Sequence, residues 1–246
     1  MGFADVCAAE LIKFRTLPSN KITLACAVLA ATALAILLGT NVGPDGNIAN
    51  VGPGAQVIAT PMQIIMYSML ILGVLSSTSE LRNGTFRVTM SVAPWRNQVL
   101  AGKIVTIAVI ALAAAVVGLL LTYGGSLITT AGTEFAPLSG GGAGTILPFL
   151  GSVPLVAVLG AVVGLLVRST AAALSIVLVW AFAVESILAA ILPDTIFPYL
   201  PFMLIGAGVG LVRTGPGPVL GLVIFAVYVA IVAGVTFFVH GRRDIV

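Results

Sequence analysis

Few residues in this 246-residue chain can do chemistry: eleven Lys and Arg, eight Asp and Glu, one His and two Cys. Glu185 is the carboxylate set inside a long apolar run, between Phe182 and Leu188. A carboxylate at such depth marks a functional position by default. Three roles are open to it: capping or pairing within neighbouring short helices, contacting a substrate at an outer gate, or carrying a proton. Glu10 and Lys13 lie three residues apart in the segment 3–15, where Phe3, Val6, Cys7, Leu11 and Phe14 form an apolar arc. Glu10 falls inside that arc, and a carboxylate buried there without a partner is costly. Lys13, or a basic residue of the next polar connection, is the expected partner. The densest polar stretch is 80–103, with Glu80, Arg82, Gly84, Thr85, Phe86, Arg87, Thr89 and Met90 in its first half.

Hydrolytic and metal chemistry find little support. His240 is the only histidine, neither G-x-S-x-G nor H-E-x-x-H occurs, and no two carboxylates share a helical face within an apolar run. Gly102-Lys103 is followed by Ile104 and lacks the upstream glycine of a phosphate-binding loop, so no ATP site is expected. Asn83-Gly84-Thr85 fits a glycosylation sequon, but the side of the membrane derived below removes that chemistry. Cys7 and Cys26 offer no disulfide framework and no ligand-like neighbours. The expectation is a chain that is not an enzyme and carries no metal or cofactor.

The elements that hold these residues follow from solvation. The chain is 59% hydrophobic and only 8% charged, against roughly 25% charged in ordinary soluble domains. Such a surface is solvated by lipid, where every backbone N–H and C=O must be paired internally, in helices or closed barrels. Uncharged runs at 104–133 and 214–241 lack the two-residue alternation of a barrel strand and exceed the roughly 20 residues that cross a bilayer. The fold class read from this is an all-α polytopic membrane protein of one domain, 1–246, with six spans near 22–38, 58–77, 104–128, 146–167, 171–187 and 219–239. Residues 1–20 hold an amphipathic interfacial helix, with Leu17-Pro18-Ser19-Asn20 breaking it before the first span. No cleaved signal peptide is expected. Pro61 stands near the start of span two, and Pro148 and Pro154 suggest a kink or late start in span four. Segment 188–218, with Pro193, Pro198 and Pro201, is apolar but interrupted, and reads as outer re-entrant helices. The pairs Gly160/Gly164, Gly206/Gly210 and Gly217/Gly221 allow close helix approach.

Lys and Arg near span ends set orientation. In a six-span arrangement Lys13, Arg15, Lys21, Arg82, Arg87, Arg96, Lys103, Arg168, Arg242 and Arg243 share one side, and Arg213 stands opposite with Asp45, Glu134 and Asp194. This places both termini in the cytoplasm of a plasma-membrane protein. The basic residues flank spans and form no single patch, so nucleic acid is not an expected partner.

In 80–103, Gly84 permits a sharp exit from span two, Thr85 can cap a short helix, and Phe86, Thr89, Met90 and Ala93 form an apolar stripe. Such a loop either fixes topology alone or receives force from a soluble partner. The pattern Glu80-x-x-x-Gly84-Thr85-x-Arg87, followed by Pro94-x-Arg96 and Lys103, resembles the first cytoplasmic loop of permease subunits of ABC-2-type ATP-binding-cassette exporters. Glu10-x-x-Lys13 in an N-terminal helix, the short turn at Arg168-Ser169 and the broken segment before the last span resemble the same family. The resemblance implies that Glu80, Arg82, Gly84, Thr85, Phe86, Arg87, Thr89 and Met90 belong to a coupling helix that docks onto an ATPase. It implies two ATPase partner subunits that carry ATP and Mg, and a second permease, either a copy of this chain or a relative. Outward transport is the implied function, and the apolar, nearly charge-free span interiors point to a hydrophobic or amphiphilic cargo such as a drug, antibiotic, lipid or peptide. A proton-coupled secondary transporter using Glu185, and a membrane scaffold anchoring a soluble complex, are the competing readings.

Overall fold

The computed structural model describes residues 3–42, 47–48, 52–53, 56–82, 96–130, 143–193, 195–208 and 215–242. Helix α1 (Phe3–Thr16) is followed by α2 (Pro18–Gly39), and Leu17 alone separates them. The expected four-residue break is therefore shorter, because Pro18 occupies the first turn of α2, where a missing N–H costs nothing. Strands β1 (Asn47–Ile48) and β2 (Gly52–Pro53) pair antiparallel, Asn47 opposite Pro53 and Ile48 opposite Gly52, inside the first connecting loop. Helices α3 (Gln56–Arg82), α4 (Arg96–Thr130) and α5 (Ala143–Val167) follow. Next come α6 (Thr170–Val179), a π-helical turn (Trp180–Val184) and α7 (Glu185–Ile191), which form one continuous rod. A 3₁₀ turn (Phe197–Tyr199), α8 (Pro201–Gly208) and α9 (Pro218–Arg242) complete the described chain.

Among the described residues six helices are long and apolar enough to cross a membrane: Pro18–Gly39, Val57–Glu80, Gln98–Thr130, Ile146–Val167, Thr170–Ile191 and Pro218–His240. This is a multi-pass α-helical protein. Two details differ from the sequence reading. Pro61 lies inside α3, and Pro148 and Pro154 lie inside an α5 that begins at Ala143, so each proline removes an N–H from an established helix. The fifth span also runs beyond Ile187 to Ile191 before Pro193 ends it.

Helices α3 and α5 form the centre, and their backbones touch. A Cβ added to Gly73 would lie 2.1 Å from the Ala157 carbonyl oxygen, and one on Gly160 2.3 Å from that of Leu70. Gly164 approaches α3 similarly, 3.1 Å from the Val74 oxygen. In lipid, where apolar burial gives little drive for association, such close backbone approach is the main source of helix packing. Around this pair Met62, Ile65, Met69, Phe149, Val153 and Phe225 are fully buried, with α2, α4 and α9 packed on the outside. Of the other small-residue pairs, Gly221 packs on α8, 3.3 Å from the Leu204 oxygen, but Gly217 meets nothing within 4 Å, and Gly210 lies outside the described residues. The turn between α5 and α6 is as short as expected. Arg168 takes a left-handed conformation with φ 61°, and Ser169 caps α6 by accepting from the Ala172 N–H.

Helix ends sort into two sets. The start of α4, the end of α3 and α1 meet through ion pairs, and the Thr170 hydroxyl at the start of α6 donates to that of Thr78 of α3 at 2.9 Å. Phe237 near the end of α9 packs on Leu100 and Leu165 of the same region. At the opposite end, Gly39 of α2 abuts Thr129 of α4, and α8 packs against the beginning of α9.

Candidate functional site

Helix α1 lies along the first turns of α4. Val6 meets Gly102, where an added Cβ would fall 2.7 Å from its Cγ1, and the Thr106 hydroxyl donates to the Cys7 carbonyl at 3.5 Å. The face turned to the bundle is Val6, Cys7, Glu10 and Phe14, whereas Phe3 and Leu11 are exposed. The apolar arc read from sequence therefore splits between protein and surroundings.

Glu10 is buried at the centre of this contact. Its Oε1 accepts from Lys13 Nζ at 2.6 Å and its Oε2 from Lys103 Nζ at 2.9 Å. Both ammonium groups also reach Glu80 Oε1, Lys13 at 3.0 Å and Lys103 at 2.9 Å. The four groups thus close a ring of alternating sign, Lys13–Glu10–Lys103–Glu80. Lys103, only 3% exposed, completes its coordination on the Ser76 carbonyl at 3.4 Å. A single carboxylate or ammonium here would be unsustainable, whereas alternating neutralisation compensates each charge within hydrogen-bonding distance. Burial alone would raise the Glu10 carboxyl, but the Lys103 charge and the hydrogen bonds from both lysines outweigh it, holding that carboxyl below its usual range. Burial likewise opposes the Lys13 ammonium, yet bonding to Glu10 and the charge of Glu80 raise it above the usual lysine value.

The expected partner of Glu10 is therefore doubled: Lys13 and Lys103 both serve. Glu80 and Lys103 are the two ends of the 80–103 connection, so α1 is tied to both of its anchors at once. Arg82 lies at the last position of α3. Gly84, Thr85, Phe86, Arg87, Thr89 and Met90 lie outside the described residues. A cleft of about 270 Å³ opens beside the ring between α1, α2, α3 and α4. The four ring residues, with Asn20 and Ser79, line its polar side, and Phe14, Leu17 and Ile110 its apolar side. Asn20 was not singled out in the sequence, where it reads only as a helix breaker.

Glu185 is fully buried at the other end of the molecule. Its Oε1 accepts from the Phe202 N–H at 2.9 Å and from the Trp180 indole at 3.1 Å, and its Oε2 from the Met203 N–H at 2.9 Å. Phe202 and Met203 are the second and third residues of α8, whose first N–H groups have no intrahelical acceptor. A carboxylate there satisfies them and complements the positive end of the helix. The π turn supplies the geometry. Its wider winding, with the Glu185 N–H bonded to the Trp180 carbonyl, turns residues five apart towards one face. The same turn sets Phe182 against Tyr67, ring centroids 4.6 Å apart, and Tyr67 in turn neighbours Phe202 at 6.4 Å. Of the three roles open to Glu185, this geometry is that of a cap.

Among the described residues no group of three or more His, Cys, Asp and Glu is placed to hold a metal ion. No family model matches the chain, and no curated protein matches it.

Proposed function

We propose that this chain is the membrane half of an ABC-2-type exporter, paired with a second permease and driven by two cytosolic ATPase subunits that bind ATP and Mg. The observation that carries the reading is the ion-pair ring. It locks the interfacial helix α1 to both ends of the 80–103 connection, so a force applied to that connection moves α1, α3 and α4 together. A loop that only fixed topology would not need a buried ring of four charges, which is costly to assemble. The ends of α3, α4 and α6 that gather there carry Arg82, Lys103 and Arg168, and the positive-inside bias assigns that end to the cytoplasm.

In this reading, ATP binding closes the ATPases, displaces the connection and α1 as one body, and shifts the permease pair between inward- and outward-facing states. The partner acts through its different affinity for the two conformations. The short helices between α7 and α9 form the outer, re-entrant gate, with Glu185 as the staple that fixes α8 to the fifth span. Among the described residues the spans carry few charges, and Lys103 and Glu185 are both paired within the protein, which favours a hydrophobic or amphiphilic cargo. Full burial and three occupied acceptor positions favour a structural Glu185 over a proton-carrying or substrate-binding one.

The test replaces Gly84-Thr85-Phe86 by a flexible charged sequence. ATPase binding and transport should be abolished while membrane insertion is unchanged; undiminished transport would show that the connection only fixes topology.

A further inference from the structure

We propose that the cleft beside the ion-pair ring is a binding site for a membrane glycerophospholipid, with the phosphodiester held by Lys13 and Asn20. This rests on the six spans and not on the ATPase reading, so the two fail separately. The cleft lies at headgroup depth, because its walls are the limits of three spans: α2 begins at Pro18, and the apolar stretch of α3 ends at Glu80 as that of α4 begins at Gln98. Its polar wall is incompletely used. Asn20 is 6% exposed and lines the cleft, and its side-chain amide makes no hydrogen bond to another described residue. An amide that faces a cleft in that state is open to a ligand or to solvent. Lys13 Nζ has three N–H groups, and two are taken by Glu10 and Glu80. The third N–H is available to an anionic oxygen.

The remaining walls select among anions. Phe14, Leu17, Ile107 and Ile110 are apolar and give no return to inorganic phosphate. The ring itself holds two carboxylates and two ammonium groups, so its own four charges sum to zero. A headgroup joined to acyl chains satisfies both walls. Leu17 lines the cleft and is 44% exposed, so the cleft reaches the outer surface at an apolar side chain. At about 270 Å³ the cleft takes a headgroup and leaves the chains outside among other lipids.

The experiment is native mass spectrometry of the purified full chain, titrated separately with a diacyl phosphatidylethanolamine, the matching diacylglycerol and glycerol phosphate. The expected result is one tightly held phospholipid per chain and no comparable adduct with either fragment. Asn20→Leu removes the amide and should weaken that adduct about tenfold, the size expected for losing a hydrogen bond to a charged group, and Ile110→Trp, which fills the apolar wall, should weaken it by steric exclusion. Ile231→Trp, on the exposed face of α9, should leave it unchanged. Equal binding of diacylglycerol would overturn the phosphate assignment, and equal binding of glycerol phosphate would overturn the lipid assignment. Should Asn20→Leu lose its fold, Ile110→Trp decides alone, and undiminished binding there overturns the site.

Discussion

Replacing Lys103 by Met is the sharpest perturbation of the ion-pair ring, because Lys103 is the most deeply buried of its four members at 3% exposure. Methionine keeps the length of the side chain and removes the charge that separates Glu10 from Glu80. The ring then holds two buried carboxylates and one ammonium group, that of Lys13, whose own side chain is 38% exposed. Removing one partner of a fully buried pair costs about 3–5 kcal/mol. Water reaching the cleft and Lys13 moderates this, so about 2–3 kcal/mol is expected. At roughly 2–4 °C per kcal/mol for a chain of this size, the unfolding midpoint in detergent should fall by about 5–10 °C. Lys21→Met, an exposed cation nearby, should move it by less than about 2 °C. A double-mutant cycle separates the ring from general packing: Glu10→Gln and Lys103→Met should show a coupling of about 1–3 kcal/mol. Additive effects, or a Lys103→Met no worse than Lys21→Met, would refute the reasoning.

Acid should act through Glu10. Its carboxyl is held below its usual 4.5, so the native state releases the proton more readily than the unfolded chain. The stability it contributes is complete above that value and is lost as pH falls through it towards the native pKa. Unfolding midpoints measured between about pH 6 and pH 3 should therefore fall less steeply in Glu10→Gln than in the parent; parallel slopes would exclude Glu10 as the source. At the centre of the bundle, Gly73→Ala places a Cβ 2.1 Å from the Ala157 oxygen and should destabilise by about 1–3 kcal/mol. Gly124→Ala meets nothing within 4 Å and should be neutral or mildly stabilising in the same thermal assay, as a helical Gly→Ala change is. Glu185→Ala uncaps α8 and frees the Trp180 indole. A loss of about 1–3 kcal/mol is expected, with a shift in Trp180 emission read in a Trp95→Phe background; an unchanged midpoint would remove the capping role.

The spans were legible because lipid leaves the chain few options: long uncharged runs must be helices, and their number and limits follow from hydropathy. Glu10 was legible in part, since a carboxylate in an apolar arc demands a partner. Both kinds of partner named from the sequence are present, Lys13 and a basic residue of the next polar connection; which basic residue it would be, Lys103 at 93 residues' distance, was not legible, because no local rule specifies a contact between distant helices. Glu80 and Lys103 were read as the ends of a loop, and their joint contact with α1 became visible only when α1 was laid across α4. The π turn at Trp180–Val184 leaves no sequence signature, as its residues are ordinary apolar span residues. With it went the geometry that sets Glu185 against a helix starting sixteen residues later at Pro201. Gly217 shows the opposite failure: the small-x-x-x-small spacing is there, but Gly217 precedes α9 and so has no helical neighbour to approach.

Purification in mild detergent tests whether this chain works with an ATP-hydrolysing partner, as proposed. A Walker-motif ATPase, identified by mass spectrometry, should co-purify in stoichiometric amount in at least one nucleotide state, and be lost when Gly84-Thr85-Phe86 is replaced. Absence of any such ATPase in the nucleotide-free, ATP-bound and ADP-bound preparations alike would contradict that proposal.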